Sequence, residues 1–373
     1  MKLLSFELKK IIFSRKFLFL LLLVFIGISF LFIRNLVFQE QIVKEEQKEL
    51  EELLQANYNN AGLHIAELEV DPENEEQQKL QRINSSMINK LYEVRNLINT
   101  DEWKQQLNLE NQYYNELTSY VEAGGETTIP IKEINYRTAM NQKLVDEDIM
   151  PQHDRYSTAL PNFLKQILTL FINAGAIILM LLIIGDTLSG EFENRSVNLL
   201  FTQPLEKHQI IISKFASAII TYLLAMVGIL GFTFLLGLFF GEKGTFAYPV
   251  LFEKNGAIQF LTVKTYMLQG LALISTTIIL VITICFLFSL LIKQTLATLF
   301  AVLVTLLGGF ALWWLLPSGV MAWLNPFRQV YPDNVLLLQN EALWYQSFPA
   351  VFLLALLLLG WSMHMFKSSK QEG

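Results

Sequence analysis

Long apolar runs alternate with polar stretches along this chain, and the alternation cuts it into segments of two kinds. The apolar runs occupy 17–33, 163–184, 215–240, 266–292, 296–316 and 348–366. A helix needs about 20 mostly apolar residues to cross a bilayer, with a range of roughly 17–25. Core helices of soluble proteins are rarely so long and so free of charge. The pattern predicts six transmembrane helices, over 17–37, 163–185, 214–240, 266–292, 296–316 and 348–366. The first has the basic flank of a signal peptide, in Lys9, Lys10, Arg15 and Lys16. No small-x-small cleavage site follows it, so an uncleaved anchor is expected.

The longest polar stretch, 38–162, separates the first two spans. It has helical periodicity. Residues 39–55 are rich in Glu, Lys, Gln and Leu and continue straight out of the first span. Residues 75–98 place Leu80, Ile83, Met87, Leu91 and Val94 close to one helical face. Residues 103–121 and 131–144 read the same way. The breaks fall at Asp71-Pro72, Asn99-Thr100-Asp101, Gly124-Gly125 and Ile129-Pro130. Thr100 or Asp101 is placed to cap the third of these helices. At the other end of the pattern, residues 1–16 set Leu3, Leu4, Phe6, Leu8, Ile11 and Ile12 against Lys2, Glu7, Lys9 and Lys10. That is an interfacial amphipathic helix whose lysines meet anionic headgroups. The fold class expected is an all-α polytopic membrane protein with a large helical domain between its first and second spans.

Composition and charge add orientation. The chain is 53% hydrophobic, with a mean hydropathy of +0.38, which is too apolar for a soluble protein of this size. If the N-terminus is cytoplasmic, the inside segments 1–16, 186–214, 293–295 and 367–373 hold 11 Lys and Arg, and the outside loops 241–265 and 317–347 hold four. This bias puts both termini inside and 38–162 outside the cell membrane. The 39–160 segment carries 24 acidic and 11 basic residues, against a net charge of −6 for the whole chain. Its acidic face reads as a solvated surface or as a funnel for a cation. Cys285, in the fourth span, is the one cysteine, so no disulfide forms within the chain.

Signals for chemistry are mostly missing. There is no G-x-x-x-x-G-K-[ST], no H-E-x-x-H and no G-x-S-x-G. His64, His153, His208 and His364 lack metal-ligand spacing. The expectation is therefore a non-catalytic chain with no cofactor or metal of its own. Gly237-x-x-x-Gly241 matches a helix-packing motif, but at a span boundary it reads better as a plain helix end. Arg34, Lys165 and Lys214 stand near span ends, where long stems snorkel. No carboxylate is evident at mid-membrane, so energy for uphill movement is expected from another chain.

The short charged stretch 186–213 lies between the second and third spans. It holds a carboxylate turn (Gly190, Glu191, Glu193, Asn194), an apolar run (Leu199, Leu200, Phe201), then Pro204 and a basic turn (Lys207, His208), with Lys214 opening the next span. The layout resembles the first cytoplasmic loop of the permease subunits of type-2 ABC exporters. Arg195-Ser196 stands where that family frequently has Gly-Thr, and Lys207-His208 where it frequently has arginine. Leu324-Asn325-Pro326-Phe327 resembles the family's outer re-entrant segment, within 317–347.

The resemblance implies a transport subunit driven by cytoplasmic ATPase subunits, which bind the ATP and Mg. It implies a second permease subunit, identical or related, a surrounding lipid bilayer and no nucleic acid. Residues 186–213 then form a coupling helix and loop. Glu191 and Glu193 contact the ATPase or the N-terminal helix, and Leu199, Leu200 and Phe201 form the apolar face that Pro204 ends. An alternative is a subunit that uses ATP to move its external domain without substrate passage.

The topology is testable by labelling. Single cysteines at Glu76 and at Glu206, in a Cys285→Ser background, are expected to react oppositely with an impermeant thiol reagent on intact cells. Position 76 should label and position 206 should not; the reverse would invert the topology.

Overall fold

The computed structural model describes residues 2–98, 100–197, 206–315, 324–340 and 342–368. Leu199, Leu200, Phe201 and Pro204 lie outside the described residues. Among those described, six helices are long and apolar enough to cross a membrane: Arg15–Val37, Leu160–Glu193, Lys207–Phe240, Val263–Ile292, Thr295–Leu312 and Phe348–Lys367. The chain is an all-α polytopic membrane protein.

The N-terminal helix α1 (Lys2–Ile12) is separated from the first span, α2 (Arg15–Val37), by Phe13 and Ser14. The Ser14 hydroxyl donates to Ile11 O at 2.7 Å and accepts from Phe17 N–H at 3.1 Å, which closes one helix and caps the next. The second span is α7 (Leu160–Leu170), a π turn (Phe171–Gly175) and α8 (Ala176–Ile184); a short helix α9 (Ser189–Glu193) follows it. The third is α10 (Lys207–Phe240) and the fourth α11 (Val263–Ile292). Thr262 caps α11 by accepting from Thr265 N–H, and Lys293 ends it in the left-handed region at φ 59°. The last two are α12 (Thr295–Leu315) and α14 (Phe348–Ser368). The fourth span is the centre of the bundle. In its most apolar stretch 72% of residues are buried, against 17% for the first and sixth spans, which keep most of their apolar surface outward.

Between α2 and α7 lies a helical domain of its own, termed here the interspan domain. It comprises α3 (Gln39–Val70), α4 (Glu75–Leu97), α5 (Trp103–Glu122) and α6 (Ile131–Asp146). Its core is separate from that of the spans and holds Leu50, Leu54, Leu80, Met87, Leu91, Val94, Tyr113, Leu117, Tyr120 and Ile134. The α3 helix runs well past the expected end at residue 55. Asn- and Gly-containing sequence beyond that point is a weak helix former, but tertiary hydrogen bonds hold it. His64 bonds Gln77 Oε1 at 2.8 Å and Tyr120 OH at 2.7 Å, and Asn84 donates to Asn57 O at 2.8 Å. Thr100 accepts from Glu102 N–H, but Glu102 itself is the residue at the cap of α5.

The acidic face of this domain is only partly solvated. A cavity of about 250 Å³ between α3, α4, α5 and α6 is bordered by Glu46, Glu49, Glu110 and Arg137 among others. Arg137 pairs with Glu49 and Glu133. Burial raises the Glu110 carboxyl pKa, against the hydrogen bonds it accepts from Gln106 and Asn141.

The 241–265 loop contains an element that the apolar pattern does not announce. Strands β1 (Pro249–Lys254) and β2 (Ala257–Thr262) pair antiparallel. Asn255 and Gly256 join them, both with positive φ (51° and 77°), as a two-residue Asn-Gly hairpin requires. Glu253 on β1 accepts from Lys132 Nζ at 2.7 Å, Tyr136 OH at 2.8 Å and Asn340 Nδ2 at 3.0 Å. These bonds, Lys132's first, pull its carboxyl down to about 2. A lowered carboxylate contributes stability above its ordinary pKa and loses it as pH falls towards the lowered one. Here that loss falls below the ordinary value of 4.5, so the contact is charged near neutrality.

Gly237 and Gly241 combine a helix end with a packing contact. Gly241 N–H closes α10 on Gly237 O at 3.0 Å. A Cβ on Gly237 would stand 2.6 Å from Leu160 Cδ1 and 3.2 Å from its Cα, where α10 meets the start of α7. Gly237→Leu is therefore expected to lower stability by about 1–3 kcal/mol, read as a lower unfolding midpoint in detergent. Gly231→Ala, where a Cβ meets nothing within 4 Å, should raise stability slightly, by about 0.5–1 kcal/mol, because glycine inside a helix is the costlier residue.

Candidate functional site

The sequence puts Glu7 on the polar side of α1 and Phe6 on its apolar side. The structure reverses both. Glu7 is 1% exposed, on a stripe with Leu3 and Ile11, while Phe6 and Phe13 face outward. The cause is Lys214, which is fully buried rather than snorkelling from a span end. Its Nζ lies 2.9 Å from Glu7 Oε1 and 2.7 Å from Glu191 Oε1. A buried ammonium needs a partner, and α1 docks so as to supply one.

Lys214 sits on the buried stripe of α10 with Ile210, Ile211, Ser217, Ala218 and Thr221. That stripe is readable in the sequence. A lysine flanked at three and four residues on either side by Ile, Ser and Ala lies on an inward face.

Glu191 is the junction. It projects from α9, and its side chain is 9% exposed. Besides Lys214, it accepts from Lys10 Nζ at 2.9 Å. Partial burial works against the Lys10 ammonium, but the Glu191 hydrogen bond and charge outweigh it and raise its pKa. Glu7, Lys10, Glu191 and Lys214 thus form a neutral set of two anions and two cations. A second pair, Lys16–Asp186 at 2.9 Å, ties the start of α2 to the end of the second span and is largely open to solvent.

The remaining candidates divide between contacts and turns. Glu193 Oε2 accepts from Thr295 N–H at 3.2 Å and so caps α12. Ser189 Oγ donates to Thr295 Oγ1 at 3.1 Å beside it. Asn194 is an exposed residue that closes α9, its N–H donating to Gly190 O. Arg195 then takes a left-handed conformation at φ 57°. Glycine is at ease there, whereas an L-side chain costs roughly 1–2 kcal/mol. Lys207 begins α10 and donates to Phe366 O and Lys367 O at 3.3 and 3.1 Å. A cation there complements the carbonyl end of α14.

Glu191, Glu193 and Asn194 therefore belong to one structure, and Lys207 to a neighbouring contact. A cavity of about 620 Å³ opens beside them, bordered by Lys10, Lys16, Asp186, Glu191, Glu193 and Asn194. Lys214, Glu7, Lys10, Lys16 and Asp186 are the residues that the sequence reading missed as a group.

At the opposite end of the bundle, Asn325 caps a 3-10 turn over Pro326–Val330 by accepting from Phe327 N–H at 2.9 Å. A short helix, α13 (Pro332–Leu337), follows. Gln329, fully buried, accepts from Thr276 at 2.6 Å and donates to Ser347 at 2.7 Å, and its backbone oxygen accepts from Thr277 at 2.9 Å. The segment thus packs into the bundle through paired polar groups.

A bundle of six long apolar helices with an ion network at one end is that of a polytopic membrane protein. The chain belongs to the ABC-2 transporter family: the family model described as ABC-2 family transporter protein matches residues 1–349. It is a multi-pass permease component of an ABC transporter, a class that works with an ABC ATPase. No curated protein and no solved structure matches it.

The network has a measurable strength. Breaking a buried ion pair by removing one partner costs about 3–5 kcal/mol, because the other charge is left uncompensated. Lys214→Met is expected to destabilise the purified protein by about that amount, and adding Glu7→Gln should recover part of the loss. Lys16→Ala, at the exposed pair, should cost at most about 1 kcal/mol. Denaturant or thermal unfolding in detergent compares the three.

Proposed function

We propose that the chain is the membrane-spanning subunit of an ABC exporter, oriented with both termini in the cytoplasm and the interspan domain outside. ATP and Mg are bound by separate cytoplasmic ATPase subunits, and this chain supplies no catalytic residue or cofactor. A second permease subunit, identical or related, completes the membrane unit. The outward apolar faces of the first, fifth and sixth spans meet lipid or that second subunit, and Phe6 and Phe13 rest in the inner leaflet.

The observation that carries this reading is Glu191. One carboxylate oxygen joins the N-terminal helix through Lys10 to the third span through Lys214, and its own helix joins the fifth span through Glu193. A push on 186–213 from the cytoplasm is therefore shared among four helices at once. The cavity beside Glu191 faces the same side and is the place for the ATPase to engage. Leu199, Leu200, Phe201 and Pro204 complete that surface in this proposal.

One observation favours the second reading, movement of the external domain without substrate passage. Helices α2 and α3 are almost continuous, with Phe38 N–H donating to Arg34 O at 2.9 Å across their junction. That arrangement carries motion of the first span outward along a 32-residue helix. Transport assayed in liposomes separates the two.

The test of the first reading is reconstitution of the permease with its ATPase. Glu191→Ala removes one partner of the buried contact with Lys214 and Lys10, at a cost of about 3–5 kcal/mol in folding stability, so activities are compared at equal amounts of folded permease. The substitution is expected to lower transport per ATP hydrolysed, or ATPase affinity, by roughly tenfold or more. Glu76→Ala, at an exposed acid of the interspan domain, should do neither. Full coupled activity in Glu191→Ala with loss in Glu76→Ala would place the functional centre outside.

A further inference from the structure

We propose that Glu253 is a positioning residue that fastens the interspan domain to the folded-back segment 324–340, so that the two move as one body. The inference rests on the transport reading only for its consequence. Its geometry stands alone. Three stretches of chain far apart in sequence meet at this side chain. One carboxylate oxygen takes Lys132 and Tyr136 from α6, and the other takes Asn340. The backbone closes the same junction: Gln339 N–H donates to Glu253 O at 2.8 Å, and Gly256 N–H donates to Asn340 Oδ1 at 3.1 Å.

Each side of the junction is anchored. On the bundle side, α13 follows the 3-10 turn directly. Asp333 at its start accepts from Tyr266 OH of the fourth span at 2.6 Å, and its N–H donates to Asn173 Oδ1 in the π turn of the second span at 3.3 Å. Leu336 is fully buried in the bundle core. On the domain side, α6 packs against α5, with Ile134 inside the domain core.

A carboxylate suits the junction because it accepts on both oxygens while matching an ammonium. An amide in its place keeps the shape but loses the charge, and alanine loses every side-chain bond. The hairpin is thus a short strut whose tip region is bonded on two sides. Displacement of the second or fourth span at its Asn173 or Tyr266 end reaches the interspan domain through α13, Asn340 and Glu253.

The experiment places spin labels at Glu76 and Asn334, both exposed, in a Cys285→Ser background of the full-length permease in nanodiscs. Double electron–electron resonance then reads their distance distribution without any ATPase. A narrow distribution is expected in the parent and a broadened one in Glu253→Ala. The Lys132→Ala/Tyr136→Phe variant removes the α6 side while leaving the hairpin intact, and it should broaden the distribution likewise. An unchanged distribution in both variants overturns the proposal.

In liposomes with the ATPase, both variants should lower transport per ATP by roughly threefold or more while keeping ATPase binding. Broadening with undiminished coupling overturns the coupling role. If the parent shows no transport, the exporter reading falls, and the distance measurement still decides whether Glu253 fastens the two parts.

Discussion

An ammonium cannot be buried alone at the edge of a membrane, and the docking of α1 follows from that constraint. Lys214 is sealed on the inward stripe of α10. Its charge is matched by Glu191 from the loop after the second span and by Glu7 from α1. The N-terminal helix therefore lies where it does because its own acid is drawn inward, and its phenylalanines turn outward as a result. A buried ion pair adds little net stability over an apolar replacement. Its value here is register, since it specifies which face of α1 meets which turn of α10.

The two ends of the bundle solve the same problem by different chemistry. At the α1 end, opposite charges sum to zero, and further contacts (Glu193–Thr295, Lys207 with the end of α14) bring in the fifth and sixth spans. At the other end the groups are neutral amides and hydroxyls, centred on Gln329 with Thr276, Thr277 and Ser347. Between them the fourth span is apolar on nearly every face, with Thr283 and Ser289 bonding back to their own helix. Polar contacts between segments thus gather in two places, the ion network at the α1 end and the Gln329 segment, which reaches Thr276 and Thr277 midway along α11.

Much of the fold was readable because its signals are local. Apolar runs locate the spans, and helical spacing between turn-forming breaks locates α4, α5 and α6 to within a few residues. What escaped depends on partners far along the chain. The tail of α3 is a poor helix by composition and is held by Tyr120 and Asn84 from other helices. Glu7 and Lys214 are separated by some two hundred residues, so no window contains both. The Asn255-Gly256 turn is a local signal, but the two six-residue strands it joins carry no clean alternation of buried and exposed positions. Of the candidate site, the Glu191–Asn194 turn stood out through its carboxylates. The pairing that gives Glu191 its place did not.

The arrangement of the ion network has a consequence for how the chain is made. Residues emerge from the ribosome in order, so Glu7 comes first, Glu191 much later and Lys214 last. Until the third span has been synthesised, Glu7 has no buried partner, and placing it against the bundle would desolvate an unmatched acid at a cost of several kcal/mol. The helix that begins the protein is thus among the last parts to settle. Before Lys214 is in place, that helix lacks the buried counter-charge that its docked position requires. Its docking serves as a sign that the first half of the bundle has been assembled.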